Sequence, residues 1–190
     1  DCNHIINTNV INISLKQKSG ISIRKYTTAV NSQNDLQADY SQLTSVINGK
    51  EKPVIPGTSW SGAFRHHMEK LSAESLNTLF GDMGSKSLIK FSESIIEGAQ
   101  SKVITRNAID RFTVGTVDGA LYTEKYYFDG DTTLTIEFPA NVSEKHVKAL
   151  VTSILALHFG YLAIGGLTSV GRGLFEITHI SINDNEYDAP

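Results

Sequence analysis

The chain has 190 residues, 40% hydrophobic and 19% charged, a balance that fits one globular domain with a sizeable core and leaves little room for a second. Its 17 Lys and Arg stand against 20 Asp and Glu, a net charge of −3, so the whole molecule offers no long-range attraction for nucleic acid and such a role needs local clustering of the positive residues. A single cysteine, Cys2, excludes an intrachain disulfide and a metal site built from several thiolates, and no apolar run approaches membrane-spanning length. The expectation is a soluble, cytoplasmic protein with no zinc and no membrane partner; the start at Asp1 and the polar end "NDNEYDAP" leave open that it is a piece of something longer.

Along the chain, Val10 to Leu15 alternate, with Ile11, Ile13 and Leu15 on one face and Asn12 and Ser14 on the other, which predicts a half-buried strand. It runs into a basic stretch of Lys16, Lys18, Arg24 and Lys25. From about 26 to 52 the sequence is polar and aperiodic, predicting a long loop that carries Asp35 and Asp39; long loops in compact domains are usually functional or disordered. "PVIPGTSWSGAFRHHMEKL" then punctuates at Pro56 and Gly57, offers Thr58 or Ser59 as a cap, and repeats Trp60, Ala63, Phe64, His67, Met68 and Leu71 at helical spacing, predicting a core-packed helix over 59–71. Arg65, His66 and Glu69 face away from that stripe. Amides at the start of such a helix, at Gly57, Thr58 and Ser59, suit a phosphate, with Arg65 as a charged fork; the plain alternative is a turn and an N-cap.

"SLIKFSESII" predicts a second strand, and residues 97–120 a charged loop with Arg106, Asp110, Arg111 and Asp118, whose acids match no EF-hand spacing. A strand at Leu121–Phe128, a tight turn at "DGD" (129–131) and a strand alternating at Leu134, Ile136 and Phe138 follow. Ser143 caps a second helix with Val147, Leu150, Val151, Ile154 and Leu155 on one face. "IGGLTSVGRG", with Gly165, Gly166, Thr168, Ser169 and Arg172, comes after a helix and before a strand; ATP and NAD loops need the reverse order, so what remains is a flexible, basic-tipped loop suited to a polyanion, or a plain connection. "LFEITHISI" is the last strand, and 183–190 a tail. His67 and His158 fall on apolar helix faces, and neither H-E-x-x-H nor G-x-S-x-G occurs.

These elements read as βαββαβ, an α+β fold with a ferredoxin-like (RRM-like) core, one domain over 1–190 with loop insertions at about 26–52 and 97–120. Two helices cover one face of an antiparallel sheet, and the other face is left for a ligand.

Three segments in order carry a resemblance. "PVIPGTSWSGAFR" resembles the signature opening the first helix in the RAMP superfamily of CRISPR proteins, "RNAIDRFTVGTVDGALYTEKYYFDG" the Arg-x-x-Ile-Asp-Arg, Gly-rich segment of its type III backbone subunits, and "GGLTSVGRG" its C-terminal glycine-rich loop. The resemblance implies a type III effector subunit that binds CRISPR RNA, presents it to target RNA, and assembles in a filament with copies of itself or homologous RAMP subunits, beside large and small effector subunits. It implies RNA contacts at Lys16, Lys18, Arg24, Lys25, Gly57, Thr58, Ser59, Arg65, Arg106, Arg111, Gly165, Gly166, Thr168, Ser169 and Arg172. It also implies an aspartate in the loop before the "IPG" motif, Asp39 with Asp35 as competitor, that positions Mg²⁺ for cleavage of target RNA. Two other readings stand beside it: metal-independent processing of precursor CRISPR RNA with His66 as general acid or base, and a non-catalytic structural subunit.

Overall fold

The computed structural model describes residues 7–24, 40–71, 75–109 and 116–190. Its strands are β1 (Thr8–Gln17), β2 (Tyr40–Ser41), β3 (Thr44–Ile47), β4 (Lys50–Ile55), β5 (Lys90–Phe91), β6 (Ser94–Ile95), β7 (Gln100–Ile109), β8 (Thr116–Phe128), β9 (Asp131–Pro139), β10 (Phe175–Ile182) and β11 (Asn185–Tyr187). The helices are α1 (Gly57–Leu71), α2 (Asn77–Phe80) and α3 (Glu144–His158), with a 3₁₀ turn at Thr168–Val170.

The alternation in β1 does what it predicts. Ile11, Ile13 and Leu15 are buried; in β9, Ile136 and Leu134 lie opposite Ile11 and Ile13 and are buried too, as is Phe138 further along the strand. β1 sits centrally in a five-stranded antiparallel sheet of order β11–β10–β1–β9–β5. α1 buries Trp60, Phe64 and Met68 and packs on α3 and β5; α3 buries Leu150, Ile154 and Leu157 and packs on β10. Burying such side chains, at roughly 1.5–3 kcal/mol each, is the main source of cohesion here. Ser143 caps α3 by accepting from the His146 N–H at 3.3 Å.

The reverse face of this sheet is polar. By register and alternation it carries Asn12, Ser14 and Lys16 from β1, Thr133, Thr135 and Glu137 from β9, and Glu176 from β10, with Thr135 donating to Asn12 Oδ1 at 2.8 Å. Among the described residues it presents no Phe, Tyr or Trp, and its His179 ring, opposite Ser14, pairs with Glu186.

Several expectations need correcting. Within the expected loop at 97–120, residues 100–109 and 116–120 are strand: β7 and β8 form a long antiparallel ribbon, bulged near Asn107–Ile109, and residues 110–115 lie outside the described residues. The alternation of β7 is hard to read because Lys102, Thr105 and Arg106 put polar groups on both of its faces. Nor are residues 40–52 a loop. β3 and β4 form a hairpin closed by Asn48 and Gly49, both at positive φ (51° and 74°), the dipeptide and geometry that tight hairpins favour. "SLIKFSESII" splits into β5, which pairs with β9, and β6, which pairs with β4. α1 starts at Gly57, two residues earlier than expected, because Pro56 O already accepts from Ser59 N and Trp60 N at 2.9 and 3.3 Å. The tail at 183–190 turns through Asn183 and Asp184, and β11 pairs with β10. The turn at 129–131 is as expected, with Asp129 at φ 59°. Among the described residues no helix is long and apolar enough to cross a membrane.

Candidate nucleic-acid interface

The turn that leaves β1, residues 18–22, is stitched to two other segments. Lys18 N donates to Leu174 O and Gly173 N to Gly20 O, both at 2.9 Å, while Ile21 N donates to Tyr127 O at 3.0 Å and Gly166 N to Ser22 O at 2.8 Å. The basic end of β1, the glycine-rich loop and the base of the ribbon therefore form one surface. Gly20 is needed at the junction: a Cβ there would lie 2.5 Å from Arg172 Nη1 and even closer to the Tyr126 ring.

Beneath Gly20 lies a charged cluster. Arg172 is 6% exposed and donates from Nη2 to Glu124 Oε2 at 3.1 Å; Glu124 is itself 2% exposed, and Arg106 Nε stands 3.7 Å from the same oxygen. The guanidinium of Arg172 also lies 3.7 Å from the centroid of the Tyr126 ring. Arg172 Nη1, Glu124 Oε1 and Arg106 Nε have no hydrogen-bond partner among the described residues. The basic-tipped loop expected at 165–173 is thus corrected in one respect: its arginine points inward, since Glu124 and Tyr126 give it an ion pair and a ring face together, and the exposed tip is Thr168 and Ser169.

Above the cluster is a shallow groove of about 380 Å³, with the turn Gln17–Gly20 on one side and Tyr126, Phe128 and Asp129 on the other. The Tyr126 and Phe128 rings are half-buried, with centroids 6.0 Å apart and planes at 45°. Lys18 at the rim is 55% exposed and pairs with Glu176 at 2.7 Å. The hydrogen bond from that lysine holds the Glu176 carboxyl below its ordinary pKa, against the opposing effect of desolvation. Across the ribbon, exposed Lys102 stands directly opposite Tyr126, so its side chain leaves from the same face.

The remaining sequence candidates are scattered. Lys16 is exposed on the polar sheet face, opposite Glu176 and Asp131 in the neighbouring strands, and exposed Arg24 bridges to Gln42. Lys25, Arg111, Asp35 and Asp39 lie outside the described residues. Gly57 opens α1 so close to β5 that a Cβ would collide with Phe91 O, which gives this signature glycine a packing reason; Thr58 and Ser59 lie in the first helical turn. Arg65 is spent locally, donating to Glu69 Oε1 at 3.0 Å, Asn77 Oδ1 at 3.1 Å and Gly81 O at 3.3 Å, which ties α1 to α2. His66 is exposed on α1, and among the described residues no hydrogen-bond partner orients its ring. Gly165 and Gly166 lie against the backbone of Ser22.

The structure brings together Lys18, Arg106 and Arg172, and it adds Lys102, Glu124, Tyr126 and Phe128, which sequence reasoning missed. The signal was "EKYYFDG": within the strand expected at Leu121–Phe128, alternation places Glu124, Tyr126 and Phe128 on one face. Among the described residues no group of three or more His, Cys, Asp or Glu is placed to hold a metal ion. Asp39 directly precedes β2, whose first residue, Tyr40, registers with Glu124.

Comparison with known proteins fits this picture. The family model described as the RAMP superfamily matches residues 37–176, well over half of the chain. No curated protein matches the sequence. Among solved structures, the chain shares its fold with a chain of the cryo-EM structure of the Type III-B Cmr-beta bound to cognate target RNA, at a TM-score of 0.64 and 17% identity, over 92% of this chain and 60% of that one. The protein thus spans about three fifths of the length of that structural relative. With the family match running from the β2 region through the ribbon and the glycine-rich loop into β10, the chain belongs to the RAMP superfamily.

Proposed function

We propose that this chain is a backbone-type subunit of a type III CRISPR effector that holds CRISPR RNA along the ribbon face and presents it to target RNA. The observation that carries this reading is the convergence of Lys18, Lys102 and a half-buried pair of rings on one face of a molecule whose net charge is otherwise negative. Cations interleaved with aromatic side chains are what a single-stranded nucleic acid needs: phosphates take the charge and bases take the rings. Family membership and the fold shared with a chain of a Type III-B structure support the type III assignment. The strand order β10–β1–β9–β5, with α1 and α3 as the two crossovers, supports a ferredoxin-like core. Its partners in this reading are copies of itself or homologous RAMP subunits in a filament, and the large and small effector subunits, in the cytoplasm.

Anisotropy titration of single-stranded RNA at several salt concentrations tests this. Affinity is expected to fall as salt rises, and Lys102→Ala to weaken binding and lower the salt slope by about one. An absence of RNA affinity at low salt, alone and with complex partners, overturns it.

Cleavage of target RNA is the finer part of the proposal. The resemblance around Asp39 motivates it; among the described residues no group of three or more His, Cys, Asp or Glu is placed to hold a metal ion, and Asp39 lies outside them. Loss of Mg²⁺-dependent cutting in Asp39→Ala supports the assignment; an unchanged rate removes it. Cutting that survives EDTA and disappears in His66→Ala transfers the chemistry to His66, and an assembled complex without cutting by this chain leaves a structural subunit.

A further inference from the structure

The outer face of α3 lacks the polar side chains of a solvent face. Spacing alone groups Val147, Leu150, Val151, Ile154 and Leu155, yet Leu150 and Ile154 are buried while Val151 and Leu155 are 44% and 37% exposed. One turn further, Phe159 is 61% exposed, so Val151, Leu155 and Phe159, spaced four apart, form one ridge. From Ala149 to Phe159 the only polar side chains outside the core are Thr152 and His158, since Ser153 is buried. A helix that is apolar on both sides belongs between two covering surfaces, and the sheet supplies one of them.

Beyond the ridge the chain leaves α3 by a Schellman turn. Tyr161 N donates to Ala156 O at 2.8 Å and Gly160 N to Leu157 O at 3.3 Å, with Gly160 at φ 78°. A side chain at the position of Tyr161 commonly folds back on the helix in such a turn, but this ring is 82% exposed.

We infer that the ridge binds the same ridge of a second copy of this chain, two α3 helices packing antiparallel about a two-fold axis at Leu155. This goes beyond the RNA-binding reading and does not depend on it. Shape selects the occupant: Val151 and Phe159 lie four residues either side of Leu155, so antiparallel pairing sets each small side chain against the other copy's ring, with Leu155 against Leu155. Charge agrees. The helix begins with the exposed Glu144–Lys148 pair (2.8 Å), and the same pairing brings Lys148 to the C-terminal end of the other α3, where the helix dipole is negative and the Tyr161 ring stands. Val151, Leu155, Phe159 and Tyr161 together leave on the order of 400 Å² of side chain uncovered per copy, about half of one side of a standard interface, which suits a weak pair. The contact joins one patch to itself and closes at two copies, so it differs in kind from the head-to-tail contact of a filament.

Sedimentation velocity of the full chain without RNA tests this. Between about 1 and 100 µM wild type is expected to pass from monomer to dimer, with little dependence on salt because the contact is mainly apolar. Leu155→Glu sets like charges on the axis and is expected to raise the dissociation constant about tenfold or more. Val151→Phe sets ring against ring and is expected to weaken the pair about tenfold; adding Phe159→Val restores small against large and is expected to return it to within about threefold of wild type. Thermal melts check that each variant folds, and if Leu155→Glu does not, the exchange of Val151 and Phe159 decides. A chain that stays monomeric throughout that range, a dimer that persists in Leu155→Glu, or an exchange without recovery overturns the pairing. Protection of the ridge amides only when a different effector protein is added, with the chain itself monomeric, assigns the face to that protein and overturns it as well. RNA affinity is expected to be unchanged in Leu155→Glu, so failure of the pairing leaves the RNA-binding reading standing.

Discussion

The five-stranded sheet and the β7–β8 ribbon are held by different forces. Behind the sheet lies one continuous apolar cluster, from Ile11 and Ile13 through Trp60, Phe64 and Met68 to Leu134, Ile136 and Leu157. The described part of the ribbon places few apolar side chains in the interior; Tyr127 against Ile21 is the main one, and its other attachment is the Glu124–Arg172–Tyr126 clamp. Apolar burial is non-directional and tolerates adjustment, whereas an ion pair with a cation over a ring fixes one geometry. The molecule thus spends its bulk cohesion on the scaffold and its directional interactions on the surface proposed to meet RNA.

The sharpest way to break the scaffold half of this comparison is Trp60→Ala. Trp60 is fully buried, donates from Nε1 to Ser94 Oγ at 3.0 Å and packs on Phe175 with centroids 5.7 Å apart. Removing it leaves a cavity and an orphaned serine, and the expected loss is about 3–5 kcal/mol by denaturant titration. A loss below about 1 kcal/mol would mean that the core does not centre on α1.

Next in size is Arg172→Met. A fully orphaned buried charge loses roughly 3–5 kcal/mol, and here the loss is expected to be smaller because Arg106 remains 3.7 Å from Glu124 Oε2. The location matters more than the total. Amide hydrogen exchange should accelerate in β7 and β8 while β1 and β9 stay protected, because the clamp ties the ribbon to the glycine-rich loop and includes no residue of β1 or β9. Uniform acceleration would erase the distinction between the two regions.

Gly20→Ala is expected to be milder, about 1–3 kcal/mol of overpacking, since its Cβ meets the movable side chains of Tyr126 and Arg172 rather than backbone. RNA affinity should drop more than stability does, because the displaced ring is a wall of the groove. A variant that binds RNA like wild type would separate the groove from binding.

What was legible in the sequence follows the same division. β1, α1, β9, α3 and β10 bury one face each, so their periodicity is plain and their order could be read directly. The second half of β8, Leu121–Phe128, was also legible, but β7 hides its period under Lys102, Thr105 and Arg106, and the β3–β4 hairpin hides behind polar flanks although Asn48–Gly49 announces it. Sequence reasoning also valued arginines by type. Arg65 and Arg172 look alike in one dimension, yet Arg65 ties α1 to α2 and Arg172 anchors a ring, and only the fold reveals which donors each has already committed. Phe128 and Tyr126 were passed over because an aromatic in a strand usually belongs to the core.

The smallest expected effect is a pH dependence that belongs to the scaffold and leaves the ribbon alone. His67 on α1 meets Ser153 on α3, with Nδ1 2.9 Å from Oγ. The Ser153 hydroxyl donates to Ala149 O at 2.8 Å, so its oxygen accepts from His67, which places the proton of the neutral ring on Nδ1. Burial lowers the His67 pKa from its ordinary 6.5, and repulsion from Lys70 and His66 adds to it. The unfolded chain therefore takes up a proton that the folded chain refuses. This contribution to stability is complete above about pH 6.5 and is lost as the pH falls from there toward the folded value. The lowered carboxylates Asp82 and Glu176, with ordinary values of 3.8 and 4.5, act in a lower window, where stability is lost on further acidification. Denaturation midpoints are expected to hold between pH 8 and 7 and to decline from about 6.5 to 5, and His67→Gln is expected to flatten that decline. Because α1 and α3 cover the sheet, the decline should register in β1 protection as well as in global unfolding. A slope unchanged in His67→Gln would assign it to another histidine, and a slope confined to the ribbon amides would place the proton-sensitive contact on the wrong side of the molecule.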